Sequence, residues 1–534
     1  MTPGSSEGSS SRLPWLAISL LLALQLGRFS AYEYLLDDAW ISFRVARNWV
    51  EAGIPTFDLT RPPVEGMTNL LWTALVAIFL AILPDLSPTV PARVMGALCL
   101  AGTVYTSAGL VVRHLSRSDT PEAARRGGWV TGGLLAASGT LAFYAMSGLE
   151  TALWTWLFAL VLERMEAWWA GDQAAGWHMG VLMGLLATCR PEGVLVGCLC
   201  LILPLAAGSM AQGRSGPGPR DWVRAGLPFL LIVGLLQAFR WHTYQALVPN
   251  TFFAKAPVLD AGFAYLGRFL LPGLGGIGLI AGWPAARRTG FGRGLAVLIL
   301  ALVVAAVGSG GDWMPGYRRL SLAVVGLAVL SGLSCGPILV LQRAATSTIQ
   351  RCALAGGLAW LGGSGWMAIQ GSDSVHLDQD LFADLGTRVR ASQVERVALV
   401  DIGQFGWYFP GSIYDLAGLT DRHLARLPGS HGTKEWDEAY FRQQAPDLVL
   451  VVSATPITDP LRQEPSPRPF EVGVLRSILD HQGYTLRHTR PDGGGAHMLV
   501  FQRAGIELSD ELWGSPPTRD LRDLYLELLG KREH

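Results

Sequence analysis

The chain carries little charge for its length. Of its 534 residues only 16% are charged, while 50% are hydrophobic; a soluble domain usually has about 25% charged residues. This deficit excludes a disordered chain and argues against a single soluble globule. The mean hydropathy of +0.32 and the 19 tryptophans are typical of a protein whose side chains meet bilayer interfaces. The composition therefore predicts a multi-spanning membrane protein.

The sequence also lacks a net charge and a cysteine framework. Its 42 basic residues balance 42 acidic residues, so we expect no nucleic-acid partner whose binding depends on neutralising phosphates. Each of the 6 cysteines lies within or at the edge of an apolar run. Their positions exclude a disulfide framework and zinc-ligand spacing, and they favour cysteine as a small packing residue.

Long apolar runs dominate the chain up to about residue 370. Because a helical span needs about 17–25 residues, these runs predict about eleven spans. They lie near residues 13–31, 92–112, 129–147, 149–166, 178–190, 193–210, 225–243, 264–285, 294–309, 319–340 and 352–370. Around Arg190-Pro191-Glu192-Gly193, two helices could meet at the outer surface, or one helix could be broken. We interpret 13–31 as an uncleaved first span, since no small-residue cleavage site follows it.

The distribution of basic residues predicts the orientation. Basic connectors lie at 113–126, 214–224, 287–293 and 343–351, and Arg12 precedes the first span. All of them fall on one side only if the apolar run 69–83 does not cross the membrane. Because basic loops stay in the cytoplasm, we expect a cytoplasmic N-terminus, a helix at 69–83 in the outer interface, and an extracytoplasmic C-terminal part. The alternative is an ordinary short span at 69–83.

The composition changes near residue 371, which divides the chain into two predicted domains. Residues 1–370 form a transmembrane domain with a large first outer loop at 32–68, and residues 371–534 form a small extracytoplasmic α/β domain. Short apolar runs predict its strands, and one amphipathic stretch predicts a helix. The strands are Val397–Asp401, Leu448–Ser453, Tyr484–Arg487 and His497–Gln502, and the helix is Phe470–Gln482. The aromatic stretch Gly403–Pro410 could stack on sugars or pack in the core.

Two adjacent carboxylates, Asp37 and Asp38, follow the first span directly. A carboxylate at the bilayer surface can act as general base toward a sugar hydroxyl or help to hold a divalent ion. Since adjacent residues on a helix point about 100° apart, the two need not share a role. The alternative is the solvated N-terminus of a helix, where aspartate is favoured.

Several outer segments contain charged residues that need partners. Arg318 and Arg319 lie at the outer end of a span, and guanidinium groups match phosphate oxygens with paired donors. A lipid-linked phosphate is one partner for them; anionic headgroups or an ion pair with Asp312 are the alternatives. Arg190 and Glu192 could pair with each other.

Six segments in chain order resemble those of a known family. They are Asp-Asp-Ala-Trp-Ile-Ser-Phe-Arg-Val-Ala-Arg-Asn (37–48), Val-Glu-Gly-Met-Thr-Asn (64–69), Ser-Gly-Leu-Glu-Thr-Ala-Leu (147–153), Arg-Pro-Glu-Gly (190–193), Val-Pro-Asn-Thr-Phe-Phe-Ala-Lys (248–255) and Gly-Gly-Asp-Trp-Met-Pro-Gly-Tyr-Arg (310–318). Over roughly the first 370 residues the chain resembles C-type membrane glycosyltransferases related to the actinobacterial terminal arabinofuranosyltransferases. The segments are specific to this branch of the superfamily but not to the sugar. Met67 stands where an aromatic residue would be expected.

The resemblance implies an integral membrane enzyme of the bacterial cytoplasmic membrane. It would transfer a sugar (a pentosyl or arabinofuranosyl group is one option) with inversion from a polyprenyl-phosphate-linked donor to a glycan, lipid or protein acceptor at the outer face. Asp38, with Asp37 as the alternative, would deprotonate the acceptor, while Arg318, Arg319 and Lys255 would hold the leaving phosphate. The expected substrate-binding residues are Arg44, Glu65, Asn69, Glu150, Arg190, Glu192, Asn250 and Asp312. Some members of the superfamily use a divalent metal such as Mg or Mn, but no pattern in this sequence demands one.

A transporter or flippase of lipid-linked saccharides is the alternative function. Such a protein should bury ionisable residues at mid-membrane depth. In this sequence the charges concentrate at one outer surface, and Glu163 and Arg164 lie near the cytoplasmic end of their span. This distribution favours the enzyme.

Overall fold

The structure is a computed structural model of the chain. It describes residues 12–31, 35–206, 218–255, 258–270, 285, 289–312, 314, 316–340, 381–392, 394–429, 434–453, 473–478, 483–491 and 497–514. The predicted span 352–370, the basic connector 343–351 and the predicted domain boundary at residue 371 lie outside these residues.

Helices form the first part of the chain. In chain order they are α1 (Arg12–Ser30), α2 (Asp37–Ala52), α3 (Leu70–Ile82), α4 (Thr89–Leu115), α5 (Pro121–Ala136), α6 (Gly139–Met146), α7 (Thr151–Trp169), α8 (Gln173–Cys189), α9 (Glu192–Ala206), α10 (Pro219–Tyr244), α11 (Thr251–Ala254), α12 (Leu259–Leu270), α13 (Gly290–Gly308) and α14 (Ser321–Val340). A 3-10 turn at Arg318–Leu320 leads into α14. Of the described helices, α1, α4, α10, α13 and the stretch Arg318–Pro337 are long and apolar enough to cross a bilayer. The chain is therefore a multi-pass membrane protein, while the count of about eleven spans stays a prediction.

The predicted span 129–147 is bent. It corresponds to α5 and α6, whose axes differ by 55°. The break falls at Ser138, whose hydroxyl accepts a hydrogen bond from the Leu141 amide at 3.3 Å and so caps α6. If this bent pair counts as one span, six described spans result.

The apolar run 69–83 forms a short helix, α3, of 13 residues. At 1.5 Å per residue it is about 20 Å long, which is less than the roughly 30 Å of the hydrocarbon core. Its length is compatible with a helix that does not cross the bilayer, as the charge distribution predicts. Near Arg190, α8 ends at Cys189 and α9 begins at Glu192, so the chain forms two helices that meet at Arg190-Pro191.

The helices pack through an extended apolar core. α14 packs against α5, α10 against α8, and α4 against both α5 and α7. Small and hydroxyl-bearing residues let these helices approach closely. The Thr131 hydroxyl on α5 donates to the Ala328 carbonyl on α14 at 3.3 Å.

A mixed sheet with short helices forms the described part of residues 381–514. Its helices are α15 (381–391), α16 (Ile402–Tyr408), α17 (Arg422–Arg426), α18 (Glu438–Gln444), α19 (473–478) and α20 (Asp510–Trp513). Its strands are β1 (Arg396–Leu399), β2 (Ser412–Asp415), β3 (Leu448–Ser453), β4 (Tyr484–Pro491) and β5 (His497–Arg503), in the order β2-β1-β3-β5-β4. β1 pairs in parallel with β2 (Val397 opposite Ile413) and with β3, while β3-β5-β4 is antiparallel.

The sequence predicts four of these strands correctly but misses β2. All four residues of β2 are buried, so the strand lacks the alternation that marks a half-exposed strand. The predicted helix 470–482 is described as α19 over 473–478.

One face of the sheet packs on the membrane domain. Leu448 and Leu450 of β3 belong to a buried cluster that also contains Ile41 and Val45 of α2. The alternate residues Val449 and Val451 face the other side, with Phe441 and Ile478. The aromatic stretch 403–410 serves this packing, since Phe405 and Phe409 are buried in the same cluster as Ile41. The sheet and the outer-loop helix α2 therefore share a core, which fixes α2 below the C-terminal domain.

Candidate active site

The predicted motifs meet at one cavity of about 820 Å³. Its wall includes the start of α2, the α8–α9 junction, the segment after α10 and the connection between α13 and α14. The predicted site residues that line it are Asp38, Asn69, Glu150, Arg190, Glu192, Lys255, Arg318 and Arg319. Segments far apart along the chain, from Asp38 to Leu419, thus contribute to a single site.

The two adjacent aspartates have different environments. α2 begins at Asp37, so the side chains of Asp37 and Asp38 diverge by about 100°. The Asp37 carboxylate accepts hydrogen bonds from the backbone amides of Gly403 at 2.9 Å and Gln404 at 2.7 Å. The Asp38 carboxylate lines the cavity and accepts no hydrogen bond from any described residue. Of the two, only Asp38 is placed to act on a ligand in the cavity.

The surroundings of Asp38 suit a general base. Burial raises the pKa of Asp38 above its ordinary value of 3.8, and the positive charges of Lys255 and Arg318 oppose this rise. A raised pKa makes a carboxylate a better proton acceptor at neutral pH.

Three basic side chains form the positive wall of the cavity. Arg318 Nε donates to Asp312 at 2.8 Å, so the alternative of an ion pair with Asp312 is correct for this arginine. Arg319 donates from one terminal nitrogen to the Ser309 carbonyl at 3.3 Å, and its buried Nε has no partner among the described residues. The ammonium group of Lys255 likewise makes no hydrogen bond to the part of the chain that the structure describes. The wall therefore has donors to offer to an anion.

Asp312, a predicted substrate-binding residue, does not line the cavity and pairs with Arg318. Burial tends to raise its pKa, but the charges of Arg318, Arg319 and Lys255 prevail and lower the pKa to about 2. Asp312 thus stays ionised and holds Arg318.

A buried polar network supports the opposite wall. The amide of Asn69 donates to Glu150 at 2.9 Å, and Arg190 donates to Glu150 and, at 2.9 Å, to Glu192. Ser42 on α2 donates to the amide oxygen of Asn69 at 3.1 Å. The predicted pairing of Arg190 with Glu192 is confirmed, and Glu150 joins it. The network fixes α2, α3, α7 and the α8–α9 junction relative to one another.

Arg44, predicted to bind substrate, lies outside the cavity lining. It is buried, and its guanidinium donates to the carbonyls of Gly406 at 3.0 Å, Phe409 at 2.9 Å and Gly411 at 2.8 Å. The last carbonyls of a helix have no partner within the helix, and Arg44 supplies the missing donors at the end of α16. These hydrogen bonds join α2 to the C-terminal domain, and the substrate contact of Arg44 stays a prediction.

Glu65 and Asn250 also lie outside the lining. Both oxygens of Glu65 accept from Arg240 on α10, at 2.9 to 3.1 Å. The amide nitrogen of Asn250 donates to the carbonyls of Gly418, Leu419 and Asp421, at 2.9 to 3.1 Å. Both side chains are thus paired within the protein, as buried polar groups usually are, and their substrate contacts stay predictions.

Gln237, Arg240 and Leu419 are among the lining residues that the sequence interpretation missed. The Gln237 side-chain oxygen is buried without a partner among the described residues. The position of Arg240, a charged residue near the end of an apolar span, could have marked it as a candidate site residue. Nothing local marks Leu419, which reaches the cavity only because the C-terminal domain packs over it.

Within the described ranges, no three or more His, Cys, Asp or Glu side chains are grouped so that they could hold a metal ion. Dependence on Mg or Mn stays a prediction.

A family model described as a domain of unknown function (DUF8728) matches residues 380–501. No curated protein matches the chain in sequence. Among solved structures, ArnT from Cupriavidus metallidurans in the apo state is similar, with 13% identity, a TM-score of 0.58, and coverage of 95% of this chain and 100% of that chain. The same protein bound to undecaprenyl phosphate matches with 12% identity and a TM-score of 0.55, covering 94% of this chain and 99% of that one.

The apo oligosaccharyltransferase of Archaeoglobus fulgidus is a further structural neighbour. It has 12% identity and a TM-score of 0.51, with 82% of this chain and 69% of that chain covered. At such identities the similarity concerns the fold, and the chain has the fold of the C-type membrane glycosyltransferases, with a C-terminal sheet domain.

Proposed function

We propose that the chain is a membrane glycosyltransferase that uses a polyprenyl-phosphate-linked sugar. The sugar is transferred with inversion to a glycan, lipid or protein acceptor of the cell envelope, at the outer face of a bacterial cytoplasmic membrane. The N-terminus is cytoplasmic and the C-terminal domain is extracytoplasmic. The motif resemblance suggests a pentofuranosyl group such as arabinofuranose as the sugar.

One observation carries this proposal: a carboxylate without a hydrogen-bond partner among the described residues shares a cavity with a positive wall. Asp38 supplies the carboxylate, and Lys255, Arg318 and Arg319 supply the wall. The reaction needs a proton acceptor on one side and a phosphate-binding group on the other.

The proposed step is a single displacement. Asp38 takes the proton from an acceptor hydroxyl, and the hydroxyl oxygen forms a bond to the anomeric carbon from the side opposite the phosphate. The bond between that carbon and the phosphate oxygen breaks, and its electron pair leaves with the polyprenyl phosphate. The products are the glycosylated acceptor and polyprenyl phosphate, and the anomeric configuration is inverted.

The positive wall supports the departure of the phosphate. Negative charge develops on the leaving oxygen as the bond breaks, and fixed donors aimed at that charge lower the barrier. Lys255 and the free Nε of Arg319 are available for this role. The ArnT structure that contains undecaprenyl phosphate shows that a protein of this fold binds a lipid-linked phosphate.

The test is transfer by the purified full chain in detergent, where transport cannot be scored. A panel of synthetic polyprenyl-phosphate sugars would be offered with envelope glycans from cells that lack the gene. We expect transfer from one donor class, and a rate lower by roughly 10²–10⁴ with Asp38→Asn. Parallel reactions with a chelator and with added Mg or Mn test the metal requirement.

A transporter would alter the sidedness of lipid-linked saccharides in vesicles without any transfer in detergent. That result, together with unchanged envelope glycans in cells that lack the gene, would contradict the enzyme.

A further inference from the structure

The segment that carries Lys255 is held by the C-terminal domain. Lys434 is 4% exposed, and its ammonium group donates to three carbonyls. They are those of Phe253 at 3.0 Å, Ala425 at 2.8 Å and Leu427 at 2.9 Å. The first lies two positions before Lys255, and the other two belong to the C-terminal domain. Lys434 thus joins the segment that carries Lys255 to the C-terminal domain.

Other contacts join the same segment to the same domain. Asn250 donates to three carbonyls of the turn after β2. The guanidinium of Arg426 lies 4.4 Å from the ring centre of Phe253, close enough for a cation–π contact. The backbone between these ties is the single helical turn α11, which ends at Ala254, immediately before Lys255. Because that turn is too short to be stable alone, its position depends on these ties.

We propose that Lys434 is a positioning residue that acts through Lys255. By fixing the Phe253 carbonyl, it sets the direction in which the Lys255 ammonium enters the cavity. The region that matches a domain of unknown function would then serve to complete and order the donor-phosphate site. This inference rests on the proposed role of Lys255 as a phosphate-binding residue.

The hydrogen bonds of Lys434 allow it to position the segment 249–255 but not to bind a substrate directly. An ammonium group has three N–H donors, and all three of Lys434 are satisfied by backbone carbonyls. It has no donor left for a substrate, and it does not line the cavity. Lys255 is the opposite case, because its ammonium group makes no hydrogen bond to a described residue.

The first measurement is amide hydrogen exchange over 249–255 in the full chain in detergent. We expect Lys434→Met to speed exchange in this segment, because its tie to the C-terminal domain is lost, and to leave α4 and α7 unchanged. Arg442→Gln is the matched control: it removes an exposed basic residue of the same domain that pairs with Glu438 on its own helix. Unchanged exchange over 249–255 in Lys434→Met would overturn the inference.

The second measurement is a double-mutant cycle on the binding of undecaprenyl phosphate. Lys255→Met should bind it about tenfold more weakly, the order expected for a lost charged hydrogen bond. Lys434→Met should weaken binding in the same direction in the wild-type background. In the Lys255→Met background, we expect Lys434→Met to change the affinity for undecaprenyl phosphate by less than about twofold. The same loss in both backgrounds would show that Lys434 does not act through Lys255.

A second variant keeps the test decisive if Lys434→Met does not fold. Arg426→Gln changes an exposed residue that contacts the same segment, and we expect a smaller effect of the same direction in both measurements. No effect of Arg426→Gln on exchange or affinity would then overturn the inference. If Lys255→Met binds undecaprenyl phosphate as well as wild type does, the proposed phosphate site fails, and the exchange measurement still decides whether the segment is positioned by Lys434.

Discussion

The backbone amide of Gly403 donates a 2.9 Å hydrogen bond to the carboxylate of Asp37, although the two residues are 366 positions apart. A Cβ on residue 403 would lie 2.0 Å from the Asp37 carbonyl oxygen, so only glycine allows this approach. The contact turns Asp37 toward the C-terminal domain and leaves Asp38 to the cavity. It explains how two neighbouring aspartates come to have separate environments.

Replacing the two aspartates should therefore give different results. Asp38→Asn keeps the size of the side chain and removes the base, so we expect turnover to fall by roughly 10²–10⁴, the range that general-base catalysis supplies. Asp37→Asn should retain most of the turnover and lower the thermal stability. Initial rates and donor binding of both purified variants are the measurements. Full turnover in Asp38→Asn would remove Asp38 from the mechanism, and a loss confined to Asp37→Asn would exchange the two roles.

The rate should depend on pH through Asp38. Because burial raises the pKa of Asp38 above 3.8, we expect kcat/KM to rise with pH along an acid limb whose midpoint lies above the ordinary value for aspartate. Only the ionised form accepts the proton. The residual rate of Asp38→Asn should lack this limb. An identical limb in Asp38→Asn would assign the titration to another group.

Stability should depend on pH through Asp37. Burial and the neighbouring Asp401 raise the pKa of Asp37 from 3.8 to about 7, against the opposing backbone amides of Gln404 and Gly403. Since the pKa is higher in the folded state, the contribution of Asp37 to stability is fully present below about pH 3.8 and is lost as the pH rises through about 7. We expect Asp37→Asn to flatten the fall in Tm over this interval, measured in detergent. The control is Asp85→Asn, which changes an exposed aspartate. Parallel curves of Tm against pH for wild type and Asp37→Asn would show that Asp37 does not cause the pH dependence.

Arg319 should be the cleaner probe of the phosphate site. Its Nε is unpaired among the described residues, so Arg319→Gln should raise the KM for the donor about tenfold and leave the fold intact. Arg318→Gln also strips Asp312 of its partner, and breaking a buried pair costs about 3–5 kcal/mol. Arg318→Gln should therefore lower Tm in addition to raising the KM for the donor. Arg224→Gln, at the opposite predicted face, is the control. An unchanged KM for the donor in Arg319→Gln would instead favour the alternative that Arg319 contacts anionic lipid headgroups.

The predicted orientation is tested by reporter fusions. A reporter fused after residue 371 should be active outside the cytoplasm, and one fused at Arg220 should be active inside, because basic loops stay in the cytoplasm. The reverse pattern would mean that the run 69–83 crosses the membrane.

The sequence determined the membrane character and much of the C-terminal sheet. Apolar runs and alternating strands are local patterns, so β3 (Leu448–Ser453) could be predicted to the residue. The strand β2 and the bend between α5 and α6 could not, since complete burial removes alternation and a single capping serine decides the bend.

For the site, the sequence by itself determined which residue types are available: carboxylates, guanidiniums and a lone lysine in ordered motifs. The tertiary structure decided which of them meet. Asp38, Lys255 and Arg319 reach one cavity, while Arg44 and Asn250 are occupied by carbonyls of the C-terminal domain. Lys434, without any motif of its own, contacts the segment that carries Lys255. The reason is physical: a side chain's role depends on the direction in which its helix points it and on partners hundreds of residues away, and neither is written in the local sequence.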